Sequence, residues 1–131
     1  MNADSQELRT PLAEDQVGLV VEVFRMLADP TRVQVLWALV DRELSVNDLA
    51  GQVGKPAPSV SQHLAKLRMA RLVNTRRSGT TIFYRLENEH VRQLVVDAVC
   101  NAEHAGPGVP AHHRGVGAVR ELTSRDGASA S

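Results

Sequence analysis

Two glycines and two prolines fall within the eight residues Gly51 to Pro58, GQVGKPAP, and they stand between two stretches of helical spacing. Upstream, Ser45 is placed to cap a short helix carrying Val46, Leu49 and Ala50. Downstream, a helix from Pro58 or Ser59 to about Ala70 turns Val60, Leu64 and Leu67 inward. A segment so rich in glycine and proline breaks a helix, so the two helices meet at a tight turn. The second of them keeps Gln62, His63, Lys66 and Arg68 for its other faces. Two short helices joined in this way, the second basic, form a helix-turn-helix pattern.

The flanking segments extend it. Val17, Val20, Val21, Phe24 and Leu27 recur at three- and four-residue steps and predict a helix from Glu14 to Ala28 with that face buried. Asp29 then offers an N-cap and Pro30 a first helical residue, so a second helix runs to about Val40, burying Val33, Leu36, Trp37 and Val40. Val73 to Arg77 and Thr80 to Leu86 are β-prone runs around Ser78-Gly79, a hairpin with Ile82, Tyr84 and Leu86 on one face. A last helix spans about Asn88 to His104 with an apolar stripe of Val91, Leu94, Val95, Ala98, Val99 and Ala102. The chain therefore reads as mainly α with a small β-hairpin wing, in the order α-α-α-α-β-β-α. Residues 14–104 form the domain, 1–13 a flexible N-terminal arm and 105–131 a flexible, Gly/Ala/Ser/Pro-rich tail. The broad stripe on the last helix exceeds what one small core needs, which makes a homodimer through the terminal helices the expectation.

The net charge of zero conceals a segregation. Residues 1–54 hold four basic and nine acidic side chains, residues 55–86 seven and none, and residues 87–131 four and six. A run of 32 residues without one carboxylate, placed over the second helix of the pair and the hairpin, is where a polyanion is expected to touch. Near the start of that helix Ser59, Ser61, Gln62 and His63 are placed to meet base edges in a major groove, with Gln62 able to pair bidentately with adenine. Lys66, Arg68, Arg76 and Arg77 are better placed to neutralise phosphates.

Other classes recede. Cys100 is the lone cysteine, so an intrachain disulfide, a four-thiolate zinc site and a CxxC redox pair are all excluded. No stretch reaches the roughly 18 apolar residues of a membrane span, and the N-terminus lacks the regions of a signal peptide, so a cytoplasmic protein without a membrane partner is expected. Neither an HExxH helix nor a general base in a readable substrate pocket argues for an enzyme.

LADPTRVQVLWAL at 27–39, PAPSVSQHLAKLRMARLV at 56–73 and RRSGTTIFYRL at 76–86 resemble the second helix, recognition helix and wing of the ArsR/SmtB family of winged-helix repressors. The resemblance implies a homodimer that represses transcription on an imperfect palindrome of double-stranded operator DNA and is released by a metal ion. It also locates places to look for ligands. Thiolate-dependent members carry ELCVCDL in the third helix, whereas this chain reads ELSVNDL at 43–49, with Ser45 and Asn47 in place of both cysteines. Soft-ion sensing at that position is therefore not expected.

Zinc-sensing members carry an Asp-x-His pair and a later His-x-x-Glu or His-x-x-His pair on the last helix. Here those positions read Asn88-Glu89-His90 and Asn101-Ala102-Glu103-His104. Fourteen residues at about 1.5 Å put His90 and His104 roughly 21 Å apart on nearly one face, so one chain cannot close the site. Two such helices packed antiparallel, crossing near Asp97, bring His90 of one chain toward His104 of the other. The break at Gly106, Pro107, Gly108 and Pro110 lets His112 and His113 fold back to join them. His90, Glu103, His104, His112 and His113 make a nitrogen- and oxygen-rich set that suits nickel or cobalt, with zinc as a further candidate, and that resembles the nickel/cobalt-responsive branch of the family. The alternative is a winged-helix regulator without a metal site, controlled by another ligand, a partner protein or Cys100 oxidation.

Overall fold

The Asp29-Pro30 step starts a helix as its chemistry dictates: the Asp29 carboxylate accepts the Arg32 backbone N–H at 2.9 Å, and Pro30 occupies a position whose N–H would have no partner. In the computed structural model, which describes residues 9–105, the elements are α1 (Glu14–Leu27), α2 (Pro30–Ala38), β1 (Leu44–Ser45), α3 (Val46–Val53), α4 (Ala57–Met69), β2 (Val73–Ser78), β3 (Thr81–Leu86) and α5 (Glu89–Ala105). The outermost parts of the expected arm and tail, residues 1–8 and 106–131, lie outside the described residues.

The helix-turn-helix is tighter than its glycines and prolines suggest. α3 runs through Gly51 to Val53, and Gly54, at φ +71°, takes the left-handed position that ends it. Three residues later α4 begins at Ala57, with Pro58 inside its first turn. Val60, Leu64 and Leu67 are fully buried, as their spacing predicts, and pack with Val35, Leu36, Leu39, Leu49 and Val73 into the core. Each such side chain stabilises the fold by about 1.5–3 kcal/mol, so α4 is held in place by its apolar face and leaves its opposite face uncommitted.

Three expectations are corrected. The sheet has three strands in the order β1-β3-β2, because Leu44 and Ser45 pair with Tyr84 and Phe83. A two-residue strand has no periodicity to read, and Ser45 serves twice, since its hydroxyl also accepts the Asp48 N–H at 3.2 Å to cap α3. The wing turn is Gly79-Thr80 rather than Ser78-Gly79: Ser78 pairs with Thr81, and Gly79 carries the positive φ. In α2, which ends at Ala38, Val33 is exposed and Val35 is buried in its place.

The α1 face built from Val17, Val20, Val21 and Phe24 is likewise exposed in the single chain. α1 contributes Val23, Met26 and Leu27 to the core margin from its C-terminal half only. In α5, Val91 and Val95 are buried while Ala98 and Ala102 are exposed.

Candidate nucleic-acid interface

Four helical residues were expected near the start of α4 as base readers, and the structure divides them. Ser61 and Gln62 are exposed, whereas Ser59 and His63 are half-buried. His63 faces the start of α2: its Nδ1 lies 3.3 Å from Arg32 Nη1 and 4.0 Å from Asp29 Oδ1. Arg32 donates to Nδ1, so the neutral ring carries its proton on Nε2. Arg32 itself is buried, with Nε donating to the Met26 carbonyl at 2.8 Å and Nη2 to the Arg25 carbonyl at 3.5 Å.

One guanidinium thus satisfies C-terminal carbonyls of α1 and a side chain of α4, and lies 3.9 Å from the Asp29 carboxylate that caps α2. The Arg32 backbone N–H, followed by its charge, holds the Asp29 carboxyl below its ordinary value. His63 is therefore a brace that fixes how the recognition helix sits on α1 and α2.

On the open side of α4, Gln62, Ala65 and Met69 fall at steps of three and four and form one stripe, flanked by Ser61, Lys66 and Arg68. Met69 is 86% exposed. The sequence reading missed Ala65 and Met69 because it sought polar readers, yet a small or apolar side chain meets the thymine methyl. The signal was available in the helical spacing from Gln62. The first turn of α4 has no side-chain cap, which suits the approach of an anion.

The wing arginines also separate. Arg77 is exposed. Arg76, also exposed and also expected at phosphate, donates to Glu43, with Nε 2.8 Å and Nη2 2.7 Å from Oε1, and lies 5.0 Å from the Phe83 ring centroid. Arg85 donates to the other Glu43 oxygen at 3.2 Å. Hydrogen bonds from Arg76 first, then Arg85, hold the Glu43 carboxyl below its ordinary value.

At the base of the wing a second pair joins α5 to the α2–β1 turn. Asp41, at φ +66°, takes Arg92 Nε at 2.7 Å and Nη2 at 3.2 Å, which lowers the Asp41 carboxyl and raises the Arg92 guanidinium.

The candidate metal residues occupy both ends of α5. His90 and His104 are exposed and Glu103 is half-buried. Among the described residues no three His, Cys, Asp or Glu side chains gather to hold an ion, and His112 and His113 lie outside the described residues. The donors on α5 are imidazole and carboxylate, which fit borderline ions such as nickel, cobalt or zinc. In α3 the cap made by Ser45 and the exposed Asn47 leave no thiolate position. Asn88 is employed otherwise, its Oδ1 accepting the Val91 N–H at 3.0 Å to cap α5.

Comparison with known proteins agrees with this geometry. Residues 29–75 match the pattern described as "Bacterial regulatory protein, arsR family". The chain is 80% identical over 112 residues, 86% of each chain, to the HTH-type transcriptional regulator KmtR of Mycobacterium tuberculosis. It is 35% identical to the HTH-type transcriptional regulator NmtR of the same organism, over 82% of this chain and 89% of the relative. Among solved structures, a homodimeric winged helix-turn-helix DNA-binding domain from Mycobacterium bovis superposes with a TM-score of 0.65 at 28% identity, covering 82% of this chain and 99% of that one. The braced recognition helix, the paired strands of the wing and this kinship lead to one conclusion: the chain belongs to the ArsR family of winged helix-turn-helix transcriptional regulators, which are DNA-binding proteins and not enzymes.

Proposed function

We propose that this protein is a homodimeric repressor that binds an imperfect-palindromic operator and is released from it when nickel or cobalt binds, with zinc the third candidate. Residues 14–104 make the DNA-binding and dimerisation unit, with 1–13 as its N-terminal arm and 105–131 as a tail that contributes ligands. Ser59, Ser61 and Gln62 face the bases, Gln62 as the principal reader. Lys66, Arg68 and Arg77 meet phosphates, and His63 contributes by holding the helix. No helix among the described residues is long and apolar enough to cross a membrane. A DNA partner supports a cytoplasmic location.

The observation that carries the metal reading is the placement of His90 and His104, both exposed, fourteen residues apart on one helix. Its partner face is α1, whose exposed apolar residues call for a second chain. In an antiparallel pair of α5 helices, His90 of one protomer and Glu103 and His104 of the other would hold the ion, with His112 and His113 supplying further nitrogen. A bound ion there supplies a fixed link between the two chains. These residues then make the dimer geometry depend on occupancy, with a coupling of about 1–3 kcal/mol.

Replacing His104 and His112 by Ala should leave apo DNA binding intact and abolish metal-induced release. Release of that double variant by metal would sink the assignment. The absorption bands of the cobalt(II) complex would give its coordination number. The rival reading, a regulator controlled by another ligand, a partner or Cys100 oxidation, is favoured by Asn88, which caps α5 where zinc-sensing relatives have a ligand. Equilibrium dialysis separates the two, since failure to bind any first-row divalent ion in the micromolar range leaves only the rival.

A further inference from the structure

The wing presents three arginines of different standing. Glu43 stands immediately before β1, so the pairing of Leu44 with Tyr84 carries its carboxylate to the wing surface beside Arg85. One carboxylate oxygen takes both contacts from Arg76, at 2.7 and 2.8 Å, and the other takes Arg85 at 3.2 Å. Arg85 is further held through Nε to Asn74 Oδ1 at 2.6 Å, and Arg76 lies over Phe83, its cross-strand partner. Arg77, one residue along and so on the opposite face of the ribbon, has no carboxylate partner among the described residues.

We propose that Glu43 is an internal counter-anion that withholds Arg76 and Arg85 from DNA phosphates, leaving Arg77 as the wing's one phosphate-seeking cation. Glu43 thereby limits the sequence-independent attraction on which non-specific binding depends, and leaves discrimination to α4. This rests on the reading that the wing lies against DNA.

The physical argument is an exchange. A phosphate that takes Arg76 must first displace a carboxylate already joined through two N–H groups, and it leaves that carboxylate facing the polyanion without a full complement of donors. Like-charge repulsion then opposes the contact that has just formed. Arg77 meets a phosphate without such an exchange. The number of counterions released therefore falls below what the wing's arginine content implies.

The test is the salt dependence of binding of the full-length protein to a fluorescein-labelled duplex of arbitrary sequence, read by anisotropy across a potassium chloride series. Each phosphate contact contributes about 0.9 to the slope of log K against log salt. R77Q should flatten the slope by about 0.9 for each protomer engaged, R76Q should leave it unchanged, and E43Q should steepen it by about 0.9 for each arginine it frees. Equal flattening by R76Q and R77Q would overturn the counter-anion role while keeping the wing on DNA. No change in any of the three would overturn it together with the wing's placement. Because Arg76 and Arg77 lie on opposite faces of the ribbon, the deciding comparison is E43Q with the wild type: an unchanged slope in a variant that keeps its circular dichroism would overturn the role, and E43A gives the second reading if E43Q folds poorly.

Discussion

At the α4 end of the molecule, three fully buried side chains and the Arg32–His63 brace fix a helix whose outer stripe is open to a groove. At the α1–α5 end the apolar surface is not covered: Phe24 is 59% exposed, Leu19 70%, and the histidines of α5 stand 14 positions apart, with no three His, Cys, Asp or Glu side chains among the described residues gathered to hold an ion. The reading head is finished within one chain. On the proposed function the other end gains its meaning from a second copy, so an ion that altered how two copies meet would move two finished heads as rigid bodies.

The largest expected effect comes from breaking the incomplete end. Phe24→Asp removes an aromatic ring that adds little to the single-chain core and places a charge on the face proposed to meet the partner. The variant should keep its helical circular dichroism and run as a monomer in sedimentation. Its operator affinity should fall by about a thousandfold, toward non-specific binding. A dimer that binds the operator normally would remove the α1 face from the interface.

That contrast also explains what could be read in advance. The start of α2, the inward face of α4 and the hairpin were legible because each is a local rule: a cap, a 3.6-residue period, a turn residue. The apolar period of α1 was legible too, but a period states that a face is buried and not which chain buries it. Val33 and Val35 exchanged roles because a nine-residue helix spans too few turns for its pattern to fix its rotation on the core. The Arg32 brace on His63 and the Glu43 pairs join residues 31 to 42 positions apart, which no local window spans. Of the candidate site, Ser61, Gln62, Lys66, Arg68 and Arg77 stand exposed as expected. Arg76 is exposed too but is paired, because its partner Glu43 stands just before a strand of two residues, too short to read.

The next effect bears on the finished end. Arg32→Met fills the same space but removes the donors to the Met26 and Arg25 carbonyls and to His63 Nδ1. Orphaned acceptors should cost on the order of 2–3 kcal/mol in urea unfolding. His63→Gln keeps an acceptor toward Arg32 and should cost less, with operator and arbitrary duplex weakened alike. If it relaxed the preference for one base pair instead, His63 would be a reader.

Gln62→Ala sharpens the same point from the outside. It should lower operator affinity by about 1–2 kcal/mol, roughly five- to thirtyfold, relax one position of the site and leave the salt slope unchanged. Lys66→Ala should do the reverse, flattening the slope by about 0.9 for each protomer engaged and weakening all sequences together.

The smallest effect lies where the two ends join. Glu43 and Asp41 both have folded-state carboxyls below their ordinary values of 4.5 and 3.8, the first through Arg76 and the second through Arg92. A lowered folded value means that protons bind the unfolded chain more readily. The stabilisation is therefore fully present above the ordinary value and is lost as pH falls through the folded one. From pH 8 down to about 5 neither pair should change. If the proposed metal site holds, acidification toward pH 6 should weaken metal-induced release from DNA, because ligating imidazoles must be neutral, while the wing pairs stay intact. Below pH 4 the melting temperatures of the wild type and of Glu43→Gln should converge from a gap of only a few degrees, since these side chains are partly exposed and screened. Added salt should narrow the same gap at pH 7. A gap that persisted at pH 3 would mean that Glu43 acts through packing against β1 and the wing and not through its charge.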